Sequence, residues 1–221
     1  MASVINICNI ALSRLGIDQA ISDLEDTANP RSRACNLHYA ECRDRALAEL
    51  CAGFALFTTP LALIDATAPA GWAYQYQYPS NALSVLALTD ENGLRQSSPS
   101  SSATFTDATS TWSGGYLRNA VAFEVQAHQT IDSRIIVSDQ EDAYAVCIKR
   151  ITDPNQMTAE FRSALAFLLA SEIALILRAN PALAQQAGQQ YQIALSRSMA
   201  QTQNERQPDP PLPSPSIQVR A

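Results

Sequence analysis

Apolar residues recur at intervals of three and four over the first fifteen residues, starting with Val4, Ile7 and Cys8. This period predicts an amphipathic helix. Ser3 is placed to cap its start and Gly16 to end it. A serine hydroxyl accepts a first-turn amide, and glycine tolerates the left-handed conformation that closes a helix.

A second helix is predicted after the acidic connection Asp18 to Asp26. Asn29-Pro30 joins a capping residue to a proline suited to the first helical position. The helix runs to about Cys51, and Gly53 and Pro60 mark its boundary. Its apolar face contains Cys35, Tyr39, Cys42, Ala46 and Leu50.

From about Leu61 to Arg150 the apolar period changes from helical to alternating. Aromatic residues from Trp72 to Tyr78 alternate with alanine and glutamine before Pro79, which is typical of a strand with one aromatic face. The stretch Ser97 to Thr111 is rich in serine and threonine and indicates a loop or hairpin tip. Further strands are predicted around Leu83 and Val85, Val121 to Val125, Ile135 to Val137, and Tyr144 to Ile148.

Helical spacing returns after Asp153-Pro154. The helix from about Met157 to Arg178 is apolar nearly all round, so it must be covered on most sides, as the central helix of a bundle is. Asn180-Pro181 repeats the cap and proline signal and starts a last helix that ends near Gln203. Its inward positions are Leu183, Ala187, Tyr191, Ala194 and Leu195.

These elements predict an α+β fold in which an antiparallel bundle of about four helices carries an inserted small antiparallel β-domain and an extended C-terminal tail. The predicted helical domain comprises residues 1–60 and 151–203, and the β-domain residues 61–150. Residues 204–221 form a proline-rich arm that cannot be helix or central strand. After its prolines, Ile217 to Arg220 return to apolar alternation. That pattern favours a strand added to the edge of a partner's sheet over a tail without function.

The composition narrows the classes of function. Of 221 residues, 47% are apolar and 16% charged, with a net charge of −6. The low charge leaves much neutral surface and indicates buried subunit contacts. The chain has fourteen arginines and one lysine against twenty-one acidic residues, so a surface that binds nucleic acid is not indicated.

The chain lacks the signals of export or membrane insertion. Its N-terminus has neither a basic region nor a small-residue cleavage site. The most apolar stretch, Ala164 to Leu177, is too short to cross a bilayer, which takes about twenty residues. Five cysteines without a CxxC pair predict reduced, buried thiols in a protein folded in the cytoplasm. They are Cys8, Cys35, Cys42, Cys51 and Cys147.

No catalytic motif rises above background: GxSxG, GxGxxG, a Walker loop and HExxH are all missing. His38 and His128 are the only candidates for a histidine base, and each is expected to be a surface or hydrogen-bonded residue. Cys35, His38 and Cys42 share one face of the second helix, and with Cys8 they would make a zinc tetrahedron. Such sites normally use a tight CxxC turn, so packed core cysteines are expected instead.

Two acidic segments and one aromatic strand allow further alternatives. Asp18 to Asp26 and Asp139 to Asp142 resemble a divalent-ion site or a glycosidase pair only in composition, since neither has a glycine-bearing ligand loop. Solvated loops are expected there. The strand Trp72 to Tyr78 would suit base or sugar stacking, but no basic residue lies between Arg45 and Arg95. Packing of this face against the helices is therefore preferred.

The order of the segments resembles the tail tubular protein A family of tailed phages, the head-to-tail adaptor. The resemblance covers about residues 3 to 203 and includes Ser97 to Thr111 as a variable insertion. It rests on a first helix ending in LSRLG, the acidic link, a helix after Asn29-Pro30, the strand WAYQYQYP with the apolar run Leu83 to Leu88, then DAYAVCIKRITDPNQMTAEFRSALAFLLASEIA and a closing helix.

The resemblance implies a structural protein of the virion, made in the host cytoplasm and without cofactor or metal. Members assemble as a ring, usually of twelve subunits, below the portal. They extend the channel through which double-stranded DNA passes without specific binding, and they dock the tail nozzle. The arm would then climb onto the portal protein. The residues expected to bind the portal are Pro211, Leu212, Ile217, Val219 and Arg220.

Two other functions remain open from the sequence. A hydrolase acting on cell-wall polysaccharide would use acids such as Asp139 and Glu141 together with the aromatic strand. A generic helical module that binds a partner would not depend on residues 204–221 for attachment to a portal.

Overall fold

The computed structural model describes residues 2–50, 53–90, 121–128, 133–178 and 180–204. These residues form four α-helices and six strands, so the predicted mixed α+β class is confirmed. The helices are α1 (Val4–Arg14), α2 (Pro30–Leu50), α3 (Ala159–Arg178) and α4 (Pro181–Asn204). The strands are β1 (Leu56–Pro60), β2 (Tyr74–Gln77), β3 (Ala82–Thr89), β4 (Phe123–Ala127), β5 (Arg134–Ser138) and β6 (Tyr144–Lys149).

The chain divides into two compact units. The helical unit contains Met1–Thr59, Pro79–Leu86 and Val146–Glu205, and the sheet unit contains Pro60–Tyr78 and Ala87–Ala145. The domain bounds predicted from the sequence are 1–60, 61–150 and 151–203. These bounds stay a prediction. The serine-rich stretch Ser97 to Thr111 and residues 205–221 of the arm lie outside the described residues.

The predicted helix caps are present. Ser3 Oγ accepts a hydrogen bond from the Asn6 amide at 3.1 Å, and Gly16 has a φ of +69° just after α1. The Oδ1 atoms of Asn29 and Asn180 each accept from the amide two residues later, at 3.0 Å. These bonds satisfy amides that have no partner within the helix, which is why both Asn-Pro pairs start helices.

Helix α3 is the central element of the helical unit. It packs against α1, α2 and α4. Buried residues cover its whole circumference from Phe161 to Ala174, which confirms the prediction that it is enclosed on most sides. Its last turn differs, because Leu175 and Ile176 are exposed. Much of this core is alanine, and small side chains let helix backbones approach closely.

Arg14 attaches α1 to α3. Its guanidinium donates to the Ser163 carbonyl oxygen at 2.8 Å and to Ser163 Oγ at 2.9 Å. The same group lies 3.4 Å from the centroid of the Phe167 ring, a cation–π contact. One side chain thus connects the last turn of α1 with two turns of α3.

The first sheet has the strand order β1–β6–β3, and most residues of its strands belong to the helical unit. In β6, four consecutive residues from Ala145 to Ile148 are buried. A strand buried on both faces is expected at the centre of a sheet covered by helices or loops. Strand β1 was not predicted, because it is short and ends at Pro60.

The second sheet lies within the sheet unit and has the order β2–β5–β4, with both pairs antiparallel. The central strand β5 is buried from Ile135 to Ser138, whereas most of β4 is exposed. The single aromatic face predicted for β2 is incomplete, since Gln75 is buried as well as Tyr76. Each edge of β2 has a neighbour: β5 on one side, and on the other Ile64, whose amide donates to the Gln75 carbonyl oxygen.

Candidate interaction surface

The cysteines in the described residues are free thiols buried in the interior. Cys8 on α1 and Cys35 on α2 have no exposed surface. The hydrogen bond between their thiols, together with burial, raises the pKa of Cys8, and the same bond lowers the pKa of Cys35. Burial raises the pKa of Cys42 to about 12 and that of Cys147 to about 11. The described thiols are thus buried, as the sequence predicts.

The described residues contain no group of three or more histidine, cysteine or acidic side chains that would hold a metal ion. His38, which the sequence places on the same face of α2 as Cys35 and Cys42, is half-buried. Its Nε2 atom is buried and has no hydrogen-bond partner in the described part of the chain. The neighbouring Tyr39 hydroxyl is in the same situation, and burial raises the pKa of Tyr39 to about 12.

His128 belongs to the sheet unit and His38 to the helical unit. The His128 backbone amide donates to the Ser133 carbonyl oxygen at 2.9 Å. The two histidines considered as catalytic bases therefore lie in different compact units.

The acids considered as a glycosidase pair lie in the exposed turn between β5 and β6. Asp139 Oδ1 accepts a hydrogen bond from the Ala73 amide at 2.9 Å. The Tyr76 hydroxyl donates to the Gln140 carbonyl oxygen at 2.5 Å. Asp142 has a φ of 52°, the left-handed conformation that aspartate tolerates in turns. The polar groups of this turn attach it to β2 and the residues before it.

The acidic link between α1 and α2 is shaped by local hydrogen bonds. Asp23 Oδ1 accepts from the Glu25 amide at 2.9 Å, and Asp26 Oδ1 from the Ala28 amide at 3.0 Å. These are turns of the kind that aspartate side chains form. Ser32 Oγ donates to the Asp23 carbonyl oxygen at 2.7 Å, which holds the link against the start of α2.

A polar network joins α2, α3 and α4. Arg45 on α2 contacts Glu172 on α3 at 3.0 Å and Glu49 one turn along α2 at 3.3 Å. The Tyr191 hydroxyl of α4 donates to Glu49 Oε2 at 2.5 Å. Burial raises the pKa of Tyr191, and the bond to Glu49 raises it further. This network was not predicted from the sequence, although Arg45 and Glu49 have the spacing of an ion pair on one helix face.

Large aliphatic side chains are exposed at several places. The most exposed is Leu37 on α2, at 71%; Leu63 and Ile176 are each 57% exposed, and Leu175 is 56% exposed. Leu63 and Val125 are exposed in the sheet unit. Single exposed aliphatic residues are ordinary on protein surfaces, whereas a group of them marks a contact site.

The residues predicted to bind a portal lie outside the described part of the chain, so this interface stays a prediction. They are Pro211, Leu212, Ile217, Val219 and Arg220.

Comparison with known proteins adds no assignment. No family model matches the chain, and no curated protein is significantly similar to it in sequence. In the described residues, no helix combines the length and apolar character that crossing a bilayer requires.

Proposed function

We propose that this chain is a structural head-to-tail adaptor of a tailed phage. In this function it assembles below the portal as a ring of copies, usually twelve in the family that the sequence resembles. The ring extends the DNA channel and docks the tail nozzle, which places the protein in the neck of the virion. The observation that carries the proposal is the order of sequence segments, above all a strand followed by RITDP, which leads into an apolar helix.

The contacts of α2 and α3 support an antiparallel bundle as the body of the subunit. Arg45 contacts Glu172, and Phe54, just after α2, packs edge-to-face on Phe161 at 5.3 Å. Moving forward along α2 therefore means moving backward along α3. A rigid helical body of this kind suits a subunit that must hold its shape within a ring.

The charge of the chain suits a channel that DNA slides through. With a net charge of −6, the chain as a whole repels the phosphate backbone of DNA. In this proposal DNA passes without specific contacts, and lateral contacts between subunits bury much of the neutral surface. The negative charge also makes copies of the chain repel one another. Counterions and the lateral contacts between subunits would offset this repulsion.

The arm supplies the contact with the portal in this proposal. Proline-rich sequence favours an extended conformation, and the apolar alternation after the prolines suits a strand added to an edge of the portal protein. A segment that orders only on docking loses conformational entropy at that step. The contact residues proposed are Pro211, Leu212, Ile217, Val219 and Arg220.

The test is binding of the purified chain to the portal of the same phage, followed by negative-stain microscopy. The full chain should bind and form ring-shaped assemblies on the portal. A chain ending at Asn204 should keep its fold, because the described core lies before that residue, and should bind the portal at least tenfold more weakly. The matched control replaces Ser214 and Ser216 with alanine and should bind as the full chain does.

A full chain that stays monomeric and ignores the portal under all conditions would contradict the adaptor function. Equal portal binding by the truncated and full chains would contradict only the role of the arm. That result would favour a helical module that uses another surface.

A further inference from the structure

We propose that Cys8 and Cys35 are a thiol pair that hydrogen peroxide oxidises to a disulfide between α1 and α2. This inference goes beyond the proposed function and does not depend on it, since both thiols belong to one chain. The two side chains lie on different helices within one core cluster, and neither has any exposed surface. Their thiols are hydrogen-bonded to each other, so the two sulfur atoms are in contact.

This contact selects Cys8 and Cys35 among the described thiols. Cys42 follows Cys35 on the same helix by seven residues, which is about 10 Å along the helix axis. Burial is the main cause of the raised pKa of Cys42, whereas for Cys8 it is the bond to Cys35. The fourth described thiol, Cys147, lies on β6. Because a disulfide needs its two cysteines close together, the pair already in contact is the one placed to react.

The hydrogen bond also indicates the order of the reaction. Cys8 donates to the Cys35 sulfur and thereby lowers the pKa of Cys35, which makes Cys35 the better nucleophile. When the Cys35 sulfur attacks hydrogen peroxide, the O–O bond breaks, an S–O bond forms and one water leaves. The Cys8 sulfur then attacks the Cys35 sulfenic acid, the S–O bond breaks, the S–S bond forms and a second water leaves with the Cys8 proton. Two thiols are oxidised and one peroxide is reduced to two waters.

The burial of both thiols means that peroxide reaches them only when α1 separates from its neighbours. Arg14 holds the last turn of α1 on α3 through its two hydrogen bonds to Ser163 and its contact with the Phe167 ring. Local separations of this kind cost less free energy than global unfolding does. We therefore expect the oxidation to be slow and its rate to depend on how often the Arg14 contacts break.

The disulfide would replace a contact that can open with a covalent bond. It would close a loop from Cys8 to Cys35 that contains the acidic link between the two helices. A bond of this kind stabilises a fold mainly by restricting the unfolded chain. A chain made in a reducing environment would acquire this bond on reaching an oxidising one.

The experiment treats the folded full chain with hydrogen peroxide, blocks the remaining thiols with iodoacetamide and identifies linked tryptic peptides by mass spectrometry without reduction. We expect a peptide pair joined through Cys8 and Cys35. The free thiols counted in urea should fall from the five of the reduced chain to three. The midpoint of thermal unfolding should rise by about 5–10 °C. Dithiothreitol should reverse these changes.

Two variants identify the partner of Cys8, because trypsin leaves Cys35 and Cys42 together in the peptide 34–43. Cys42→Ala is the matched control and should form the disulfide at the rate of the unsubstituted chain. Cys35→Ala should lose both the disulfide and the rise in unfolding midpoint. Each variant removes one buried thiol from the same helix, so they form a matched pair.

A second pair of variants tests the opening of α1. Arg14→Gln removes the guanidinium that holds α1 on α3 and should raise the rate of disulfide formation about tenfold. The control is Arg162→Gln, since the Arg162 guanidinium donates to the carbonyl oxygens of Pro154 and Met157. This control should leave the rate unchanged. Equal rates in the two arginine variants would contradict the opening of α1 as the route.

Three other results would overturn the proposal. The first is a Cys8 disulfide that forms as well in Cys35→Ala as in Cys42→Ala. The second is a folded chain that keeps all five thiols under conditions that oxidise them in urea. The third is a disulfide that joins two chains instead of two helices of one chain. Portal binding by the reduced chain tests the adaptor function separately, and none of these results changes it.

Discussion

Helix α3 and strand β5 are both central elements, but they are enclosed to different extents. Residues Phe161 to Ala174 of α3 contribute to a core shared with three other helices. In β5 only Ile135 to Ser138 are buried, and the partner strand β4 is mostly exposed. The helical unit therefore depends on many contacts along one helix, and the sheet unit on a few residues of one strand.

The comparison shows how each unit loses stability. Removing a side chain from α3 leaves a cavity that neighbouring helices close only in part, because they are fixed by further contacts. A side chain at an exposed position of β4 faces solvent, so its substitution should cost little stability. We therefore expect the loss of unfolding free energy on substitution to depend on how buried the side chain is, and not on which residue is replaced.

The largest loss is expected for Phe161→Ala. Phe161 has no exposed surface and packs on Phe54. The substitution should lower the free energy of unfolding by about 4 kcal/mol, measured by urea denaturation. Phe123→Ala in the half-buried β4 position is the control and should lower it by about 1 kcal/mol or less. Equal losses for the two phenylalanines would contradict the comparison.

A somewhat smaller loss is expected for Ile136→Ala at the centre of β5. Ile136 has no exposed surface, and truncation should destabilise the sheet unit by about 3 kcal/mol. Its antiparallel partner Val125 is 40% exposed and makes a matched control. Val125→Ala should lower the unfolding free energy by about 0.5 kcal/mol. Hydrogen exchange of β5 amides would show whether the loss stays in the sheet unit, and unchanged β5 protection would argue against it.

A third prediction concerns the hydrogen bond between α4 and α2. Tyr191→Phe removes the hydroxyl that donates to Glu49, and we expect a loss of about 1–2 kcal/mol in thermal or urea unfolding. Tyr144→Phe in β6 is the control. If the two substitutions have the same effect, the bond to Glu49 does not stabilise the helical unit.

The smallest effect is expected on raising the pH from 7.5 to 9.5. Burial raises the pKa of Cys42 from its ordinary value of 9.0 to about 12, so the folded thiol keeps its proton where the unfolded thiol loses it. Stability from this group is therefore full below pH 9 and declines above it, by less than about 1 kcal/mol at pH 9.5. Cys42→Ala should flatten this decline in urea titrations at several pH values. An identical decline in the variant would rule Cys42 out as its cause.

Helix positions were predicted well because their signals are local. The Ser3 cap, the two Asn-Pro pairs and the three-four spacing are readable without any partner, and all four helices are found there. The five strands β2 to β6 were likewise predicted from alternation. Strand β1 and the buried Gln75 were missed, because both depend on neighbours distant in the sequence.

At the candidate site, too, local features were predicted from the sequence and contacts between distant residues were not. The sequence predicted core cysteines from their helical spacing, and the described thiols are buried. It did not predict that Glu49 would meet Tyr191, which is 142 residues away. It also did not predict that the end of α3 would be exposed. An apolar segment alone does not indicate which neighbouring elements cover it.

By itself the sequence determined where the helices begin and end, that the chain mixes helices with strands, and that buried cysteines lie on helix faces. Apolar spacing, capping residues and prolines act over a few residues, so their effects can be predicted from the local sequence. Tertiary structure alone decided the strand orders β1–β6–β3 and β2–β5–β4, the polar network at Arg45 and the exposure of Leu37, Leu175 and Ile176. Each of these depends on which distant segments meet, and that choice follows from packing the whole chain.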